Sequence, residues 1–406
     1  MTFQPILNGL SIPLEKLQMI ASRTLLLYVL IGLFSSCQLN RHNEYRQFKC
    51  IVIDSFSSPM HGSDITPVAY NGHTNNYLFL DNLSGTKIYE INQIGTIIHQ
   101  ITPLGQDSSR IQGRIGNISY LNDTILVITS EFGYYFLSTS GQIIRKQYSP
   151  NNEPISGVNK TIRLIKIGAD SIFASEYRSP IPYDTLLTNN WGSKRYIDSM
   201  KFITLHNINT NKFILKFGFE NGGLHKKYVY DYREEVLFDY DSTNGNMTII
   251  YSPDPALYVY NKRDNFDSYK KYPFLMSNFK MPIKYKIGDS SVKRNYSEMV
   301  LVNSSINSVH NNGKFEIVTY RTGIPETVFD QLETNEQYAE VSNKFMKSYC
   351  IILENGNQIS GDIELPKGVN DISFFLSLDK IICYKVDLSE GLNPEPKFYI
   401  CKLVEQ

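Results

Sequence analysis

Two segments of the chain end alike, in Tyr177-Arg178-Ser179 and Tyr320-Arg321-Thr322, and each opens a long polar stretch. A pair of guanidinium groups can clamp a carboxylate, a phosphate or a uronic acid, because arginine binds such groups through two parallel hydrogen bonds. Arg114 and Arg233 precede segments that read as strands and would reach the same rim, and Lys385 ends a third segment of this kind. The neighbouring acids Glu131, Glu176, Glu234 and Glu235 offer these bases a plainer use, stitching one sheet to the next. Trp191, the only tryptophan, lies near Tyr183 and Tyr196 and could stack on a sugar or grip a peptide. Packing its loop down onto the scaffold is the other use.

Other chemistry has less support. The seven histidines are scattered, and no two show zinc-ligand spacing. His310 closes an expected strand and is the one histidine placed for acid–base work. No nucleophile elbow, metalloprotease motif or phosphate-cradling glycine loop stands out. Asp239 and Asp241 alternate on one strand, where solvation explains them as well as calcium does. Neither a metal nor another cofactor is called for. Forty basic residues balance forty acidic ones, so the basic field that nucleic-acid binding needs is missing.

The elements that must carry these side chains read as short strands. Aromatics make up 13% of the chain, nearly all Tyr and Phe, which favour strands. Residues 74–101 and 122–148 align with each other. Each has an apolar strand, a polar break, a Tyr-containing strand, a Gly turn (Gly95, Gly141) and a strand with paired Ile. Short strands joined by tight Gly turns mean antiparallel hairpins, and their recurrence means a repeat architecture. Segments such as 77–80 and 124–128 are apolar without alternation, as strands buried on both faces are. Propeller blades bury both faces because each sheet packs between two neighbours.

The same frame extends over 161–219, 234–274 and 301–365, and leaves three strands, 369–378, 380–387 and 397–404, at the C-terminus. Residues 47–56 precede the first blade and belong to no hairpin. The expectation is therefore an all-β, six-bladed β-propeller over 46–406, whose N-terminal strand closes the last blade. In this frame the long connections 102–113, 149–160, 179–199, 220–233, 275–300 and 322–346 emerge on one face, and function tends to sit on such loops.

Residues 25–34 are an unbroken apolar run, too short to span a bilayer as a helix, with Arg23 before it and Ser35-Ser36-Cys37 after it. This is similar to the bacterial lipoprotein signal, which implies acylation of Cys37. Residues 1–37 are then the signal, with Met19 an alternative start, and 38–45 a tether. With Cys37 lipidated, Cys50, Cys383 and Cys401 fall on adjacent strands of the closing blade, and a Cys50–Cys401 disulfide could lock the ring.

Lipoprotein Cys, short tether, loose blades and end-to-end closure together resemble the TolB-like six-bladed propeller lipoproteins of unknown function. The resemblance covers roughly 46–406 and implies a fold and an address at the bacterial envelope, on the outer membrane; it implies no chemistry. The leading expectation is a lipid-anchored module binding a peptide, glycan or partner protein of the envelope on its long-loop face. An enzyme, a lyase or hydrolase of an anionic glycan or lactone using Arg178, Arg321 and His310, is the runner-up. A structural subunit of an envelope assembly is third.

Overall fold

The computed structural model describes residues 45–58, 60, 65–81, 87–103, 111, 115–130, 133–148, 162–167, 170–176, 194, 198, 201–207, 209–221, 223–230, 235–287, 301–385 and 397–406. Arg46–Gln406 forms a compact unit of its own. The signal, Cys37 and the tether, as far as residue 44, lie outside the described residues.

The unit is all-β, in a propeller arrangement. β1 (Phe48–Ser57) comes first. A first sheet follows, of β2 (Ile65–Asn71), β3 (Asn76–Asp81), β4 (Ile88–Ile91) and β5 (Ile97–Ile101). The second holds β6 (Ile115–Asn122), β7 (Ile125–Ser130), β8 (Gly133–Ser138) and β9 (Ile143–Tyr148). The third holds β10 (Ile162–Ile167), β11 (Asp170–Glu176), β12 (Ile203–Asn207) and β13 (Lys212–Lys216). After β14 (Tyr228–Tyr230) comes the fourth, of β15 (Glu235–Asp241), β16 (Asn246–Ser252), β17 (Ala256–Asn261) and β18 (Tyr269–Pro273). β19 (Lys284–Lys286) pairs back with β14 as a separate two-stranded ribbon. The fifth holds β20 (Ser305–Asn311), β21 (Phe315–Arg321), β22 (Ser348–Glu354), β23 (Asn357–Gln358) and β24 (Ile363–Glu364). The last strands are β25 (Val369–Ser377), β26 (Lys380–Lys385) and β27 (Lys397–Glu405).

β1 is the fourth strand of that last sheet. It runs antiparallel to β27, with Phe48 opposite Glu405 and Ser57 opposite Lys397. Among the described residues there are thus five four-stranded sheets, one five-stranded sheet and the ribbon. The first strands of successive sheets are neighbours: β2 beside β6, β6 beside β10, β10 beside β15, β15 beside β20, β20 beside β25, and β25 beside β2 again.

Burial explains the sequence pattern. The second and third strands, such as β3, β8 and β16, are buried at nearly every position, whereas β5, β9 and β18 at the periphery are mostly half-buried or exposed. Between the sixth sheet and the first lies a largely aromatic core of Tyr77, Phe79, Tyr89, Phe374 and Phe398. The turns repeat a device. Asn71, Asn122, Asp241 and Asn311 each end the first strand of a sheet, and each side chain accepts backbone N–H bonds from the turn that follows. Such Asx turns stop a strand and start the reversal without tertiary help.

Gly95 has φ +87° in the β4–β5 turn, and a Cβ there would lie 2.4 Å from the Ser57 carbonyl oxygen at the end of β1. Gly95→Ala is expected to cost about 1–3 kcal/mol in urea unfolding, from backbone strain plus this clash. A cost near zero would mean that the turn stands clear of β1.

Two features depart from the strand reading. The 322–346 connection contains helices, α1 (Glu326–Phe329) and α2 (Asn335–Phe345), the latter opened by a Thr334/Gln337 capping box. The periphery of the fifth sheet, a single strand in the repeat frame, is split into β23 and β24. Both pair with β22, and buried Ser360 between them accepts the Ile352 N–H at 2.8 Å.

Candidate functional site

Of the expected rim residues, Tyr320, Arg321 and Lys385 are described. Arg114, Tyr177, Arg178, Trp191 and Arg233 lie outside the described residues, so the two-arginine clamp is represented here by one member. Arg321 ends β21 and Lys385 ends β26, equivalent positions on two sheets whose first strands are neighbours. Both side chains are half-buried at that end.

The Arg321 guanidinium is oriented from behind. Its Nε donates to Ser305 Oγ at 2.9 Å, and Ser305 Oγ donates to Asn307 Oδ1 at 2.9 Å. Asn307 Nδ2 then crosses to the sixth sheet and donates to the Asn370 carbonyl at 3.1 Å, which also accepts from Ser348 Oγ at 3.0 Å. A polar seam therefore ties the arginine to both sheets. The ladder places Ser305 directly opposite Arg321, and a bulge between Ile306 and Ser308 brings Asn307 and Ser308 into this seam.

Tyr320 does not join its neighbour. Strand side chains alternate between faces, so Arg321 at the strand end and Tyr320 point apart. Tyr320 is 0% exposed, stacked on Tyr349 with ring centroids 5.4 Å apart, in the core between the fourth and fifth sheets. It is a packing residue and not a rim residue.

His310 lies further along β20. Its Nε2 is 2.9 Å from the Ile372 carbonyl and 3.0 Å from Ser308 Oγ. A carbonyl only accepts, so Nε2 must carry the proton. Ser308 Oγ meanwhile donates to Asp371 Oδ1 at 2.7 Å, and Thr319 Oγ1 donates to the same oxygen. Serine, histidine and aspartate are thus adjacent but wired unlike a hydrolase. The serine proton goes to the acid, and the imidazole nitrogen nearest Ser308 is a donor unable to take it. Burial pushes the Asp371 carboxyl up, against the hydrogen bonds that hold it ionised. The arrangement joins two sheets and leaves Ser308 without a base at Nε2.

Asp239 and Asp241 are similarly occupied. Asp239 accepts the Asn311 N–H at 2.8 Å from the next sheet, and Asp241 accepts the Thr243 and Asn244 amides at 2.9 and 3.1 Å. Among the described residues no group of three His, Cys, Asp or Glu is placed to hold a metal ion.

The cysteines lie on the expected strands, β1, β22, β26 and β27, and all four are free thiols. The register gives a reason for the missing Cys50–Cys401 bridge. Cys50 faces Leu403 and Cys401 faces Val52, so the two are diagonal. Diagonal Cα atoms lie roughly 7–8 Å apart, at or past the limit for a disulfide of about 7 Å. Burial holds the Cys350 thiol well above its ordinary range.

Ser305, Asn307, Ser308 and Asp371 escape sequence reasoning. Residues 303–308 are polar at every position but Ile306, and nothing in the sequence pairs Ser308 with Asp371, 63 residues away.

The fold has solved counterparts. A member of the duf4221 family from Bacteroides vulgatus superposes with a TM-score of 0.62 at 11% identity, over 89% of this chain and 100% of its own. A protein of Bacteroides fragilis described as exported gives 0.51 at 10% identity, over 88% and 95%. At such identities the likeness is one of fold. No family model and no curated protein matches the chain. No helix among the described residues is long and apolar enough to cross a membrane.

Proposed function

We propose that this chain is a lipid-anchored propeller of the bacterial envelope that binds an anionic peptide, glycan or protein surface at the rim carrying Arg321 and Lys385. The six sheets are taken as six blades. The split strand of the fifth counts as one peripheral strand, and the neighbouring of β25 with β2 closes the ring. The anchor rests on the Ser35-Ser36-Cys37 signal, and with the propeller fold it supports a TolB-like reading.

The observation that carries the binding reading is the Arg321–Ser305–Asn307–Asn370 relay. It fixes a guanidinium at the meeting of two blades, and such a preorganised group loses little freedom when it captures an oxyanion. Binding is favoured over catalysis by the Ser308–Asp371 wiring, which supplies no activated nucleophile. Arg178, if its loop reaches the same rim, would complete the clamp.

Screening the protein against an array of uronic-acid glycans, neutral glycans and acidic peptides tests this. Arg321→Ala is expected to weaken the anionic hits at least tenfold, since charge-assisted bonds contribute roughly 1.5–3 kcal/mol, and to leave the fold intact. Anionic hits retained equally by Arg321→Ala and Arg178→Ala would remove the clamp. Turnover of a glycan or lactone with wild-type protein would favour the enzyme reading.

A further inference from the structure

We infer that the periphery of β1 is a membrane-contact surface, where Ile51, Val52 and Ile53 insert into the interfacial region of a lipid bilayer. This rests on the lipid anchor proposed above and adds a second attachment to it.

β1 is the outermost strand of its sheet; just before it, Arg46 bridges to Ser360 of the fifth sheet, and from Ile51 to Ile53 no described strand pairs with its other edge. Three consecutive apolar side chains at its centre are open to solvent: Ile51 at 37%, Val52 at 41% and Ile53 at 52%. Ile94, 71% exposed, belongs to the turn whose Gly95 packs on Ser57 at the end of the same strand. Such a run on an outer strand costs solubility and invites aggregation unless something covers it. The other apolar side chains of β1 are half-buried and turned inward, Phe48 and Cys50 against the core shared with the fifth sheet and Phe56 against that shared with the first.

Two observations choose the occupant. The first is a bulge. Val52 pairs with Cys401 and Asp54 with Ile400, leaving Ile53 as the extra residue. A bulge at mid-strand twists the edge and breaks the hydrogen-bond ladder, so the edge is poorly made for adding another strand, from a second copy or a partner. The apolar side chains are left without a use in strand pairing. The second is chain length. Residues 38–45 separate Cys37 from Arg46, a span of at most about 30 Å even fully extended. An acylated Cys37 therefore delivers β1, before any other strand, to the bilayer surface. Exposed Lys49 and Asp54 flank the patch with opposite charges, so insertion is driven by apolar area and not by lipid charge.

Because Arg46–Gln406 is complete in its own strands, the chain from Gln38 onward can be tested without its lipid. It is expected to co-float with both phosphatidylcholine and phosphatidylglycerol vesicles. Replacing all three residues (Ile51→Ser, Val52→Ser and Ile53→Ser) should weaken flotation roughly tenfold or more with unfolding unchanged. Wild-type protein that fails to float, or a triple variant that floats equally well, overturns the inference. So does a wild-type dimer in sedimentation that the triple variant abolishes without any flotation, which would assign the patch to a second copy. Labelled palmitate tests the anchor separately. Incorporation that survives Cys37→Ala removes the anchor reading, whatever the vesicles show.

Discussion

Phe398→Ala is expected to destabilise the protein by about 3–5 kcal/mol in urea unfolding, the range for deleting a fully buried phenylalanine. Whole-domain stabilities run only about 5–15 kcal/mol, so this is a large share. Phe398 is 0% exposed on β27. Its ring lies 5.0 Å from Phe56 on β1, 4.9 Å from Phe79 in the first sheet and 5.3 Å from Tyr384 on β26. It thus touches the N-terminal strand, its own sheet and the next one at once. Its loss opens a cavity where the two ends of the chain meet, and the neighbouring rings are pinned by their own strands and cannot collapse into it. Lys402→Ala on the same strand is the control and should stay within roughly 0.5 kcal/mol. A cost below about 1 kcal/mol for Phe398→Ala would mean that the last sheet is not integrated with the first.

That junction was legible because its logic is local and patterned. Residues 47–56 have strand composition and no hairpin partner, while the C-terminal sheet lacks one strand, and β1 on β27 resolves both. Continuous apolar runs likewise announce sheets packed on both faces. What could not be read depends on pairing at a distance. The β14–β19 ribbon joins two segments that flank the whole fourth sheet, and three-residue strands leave no periodicity to detect. Arg321 was legible from its place at a strand end, but the Ser305–Asn307 relay behind it is set by ladder register and a bulge. Tyr320 misled because strand composition alone does not tell a rim position from a core one. The cysteines show the same limit. Composition puts them on adjacent strands, and a register slip of two residues decides whether they face each other.

Glu316→Gln is expected to raise stability at pH 8 by up to about 3 kcal/mol and to leave it unchanged near pH 4. Glu316 is 4% exposed, and burial, helped by the Asp241 charge, pushes its carboxyl up from 4.5 to about 7 against the Gly356 N–H bond. A raised acid holds a proton in the folded state that the unfolded chain has released, so stability falls as pH climbs between 4.5 and about 7. Two histidines act in the opposite direction. His206 and His225 are 0% and 2% exposed, and burial lowers both to about 4 from 6.5. His206 is stacked on Tyr134 and His225 on Phe219. A lowered base leaves the unfolded chain holding the extra proton, so stability is lost as pH falls from 6.5 to about 4. Each group shifts by roughly 2.5 units, about 3 kcal/mol at 1.36 kcal/mol per unit. Two histidines against one glutamate leave a net loss of about 3 kcal/mol from these groups between pH 8 and pH 4. Glu316→Gln removes the opposing contribution, so its acid loss should roughly double to about 6 kcal/mol while its starting point at pH 8 is higher. Urea unfolding of both proteins across this range reads the difference directly, and groups common to both cancel. A variant no more stable than wild type at pH 8 would mean that Glu316 is solvated in the folded protein.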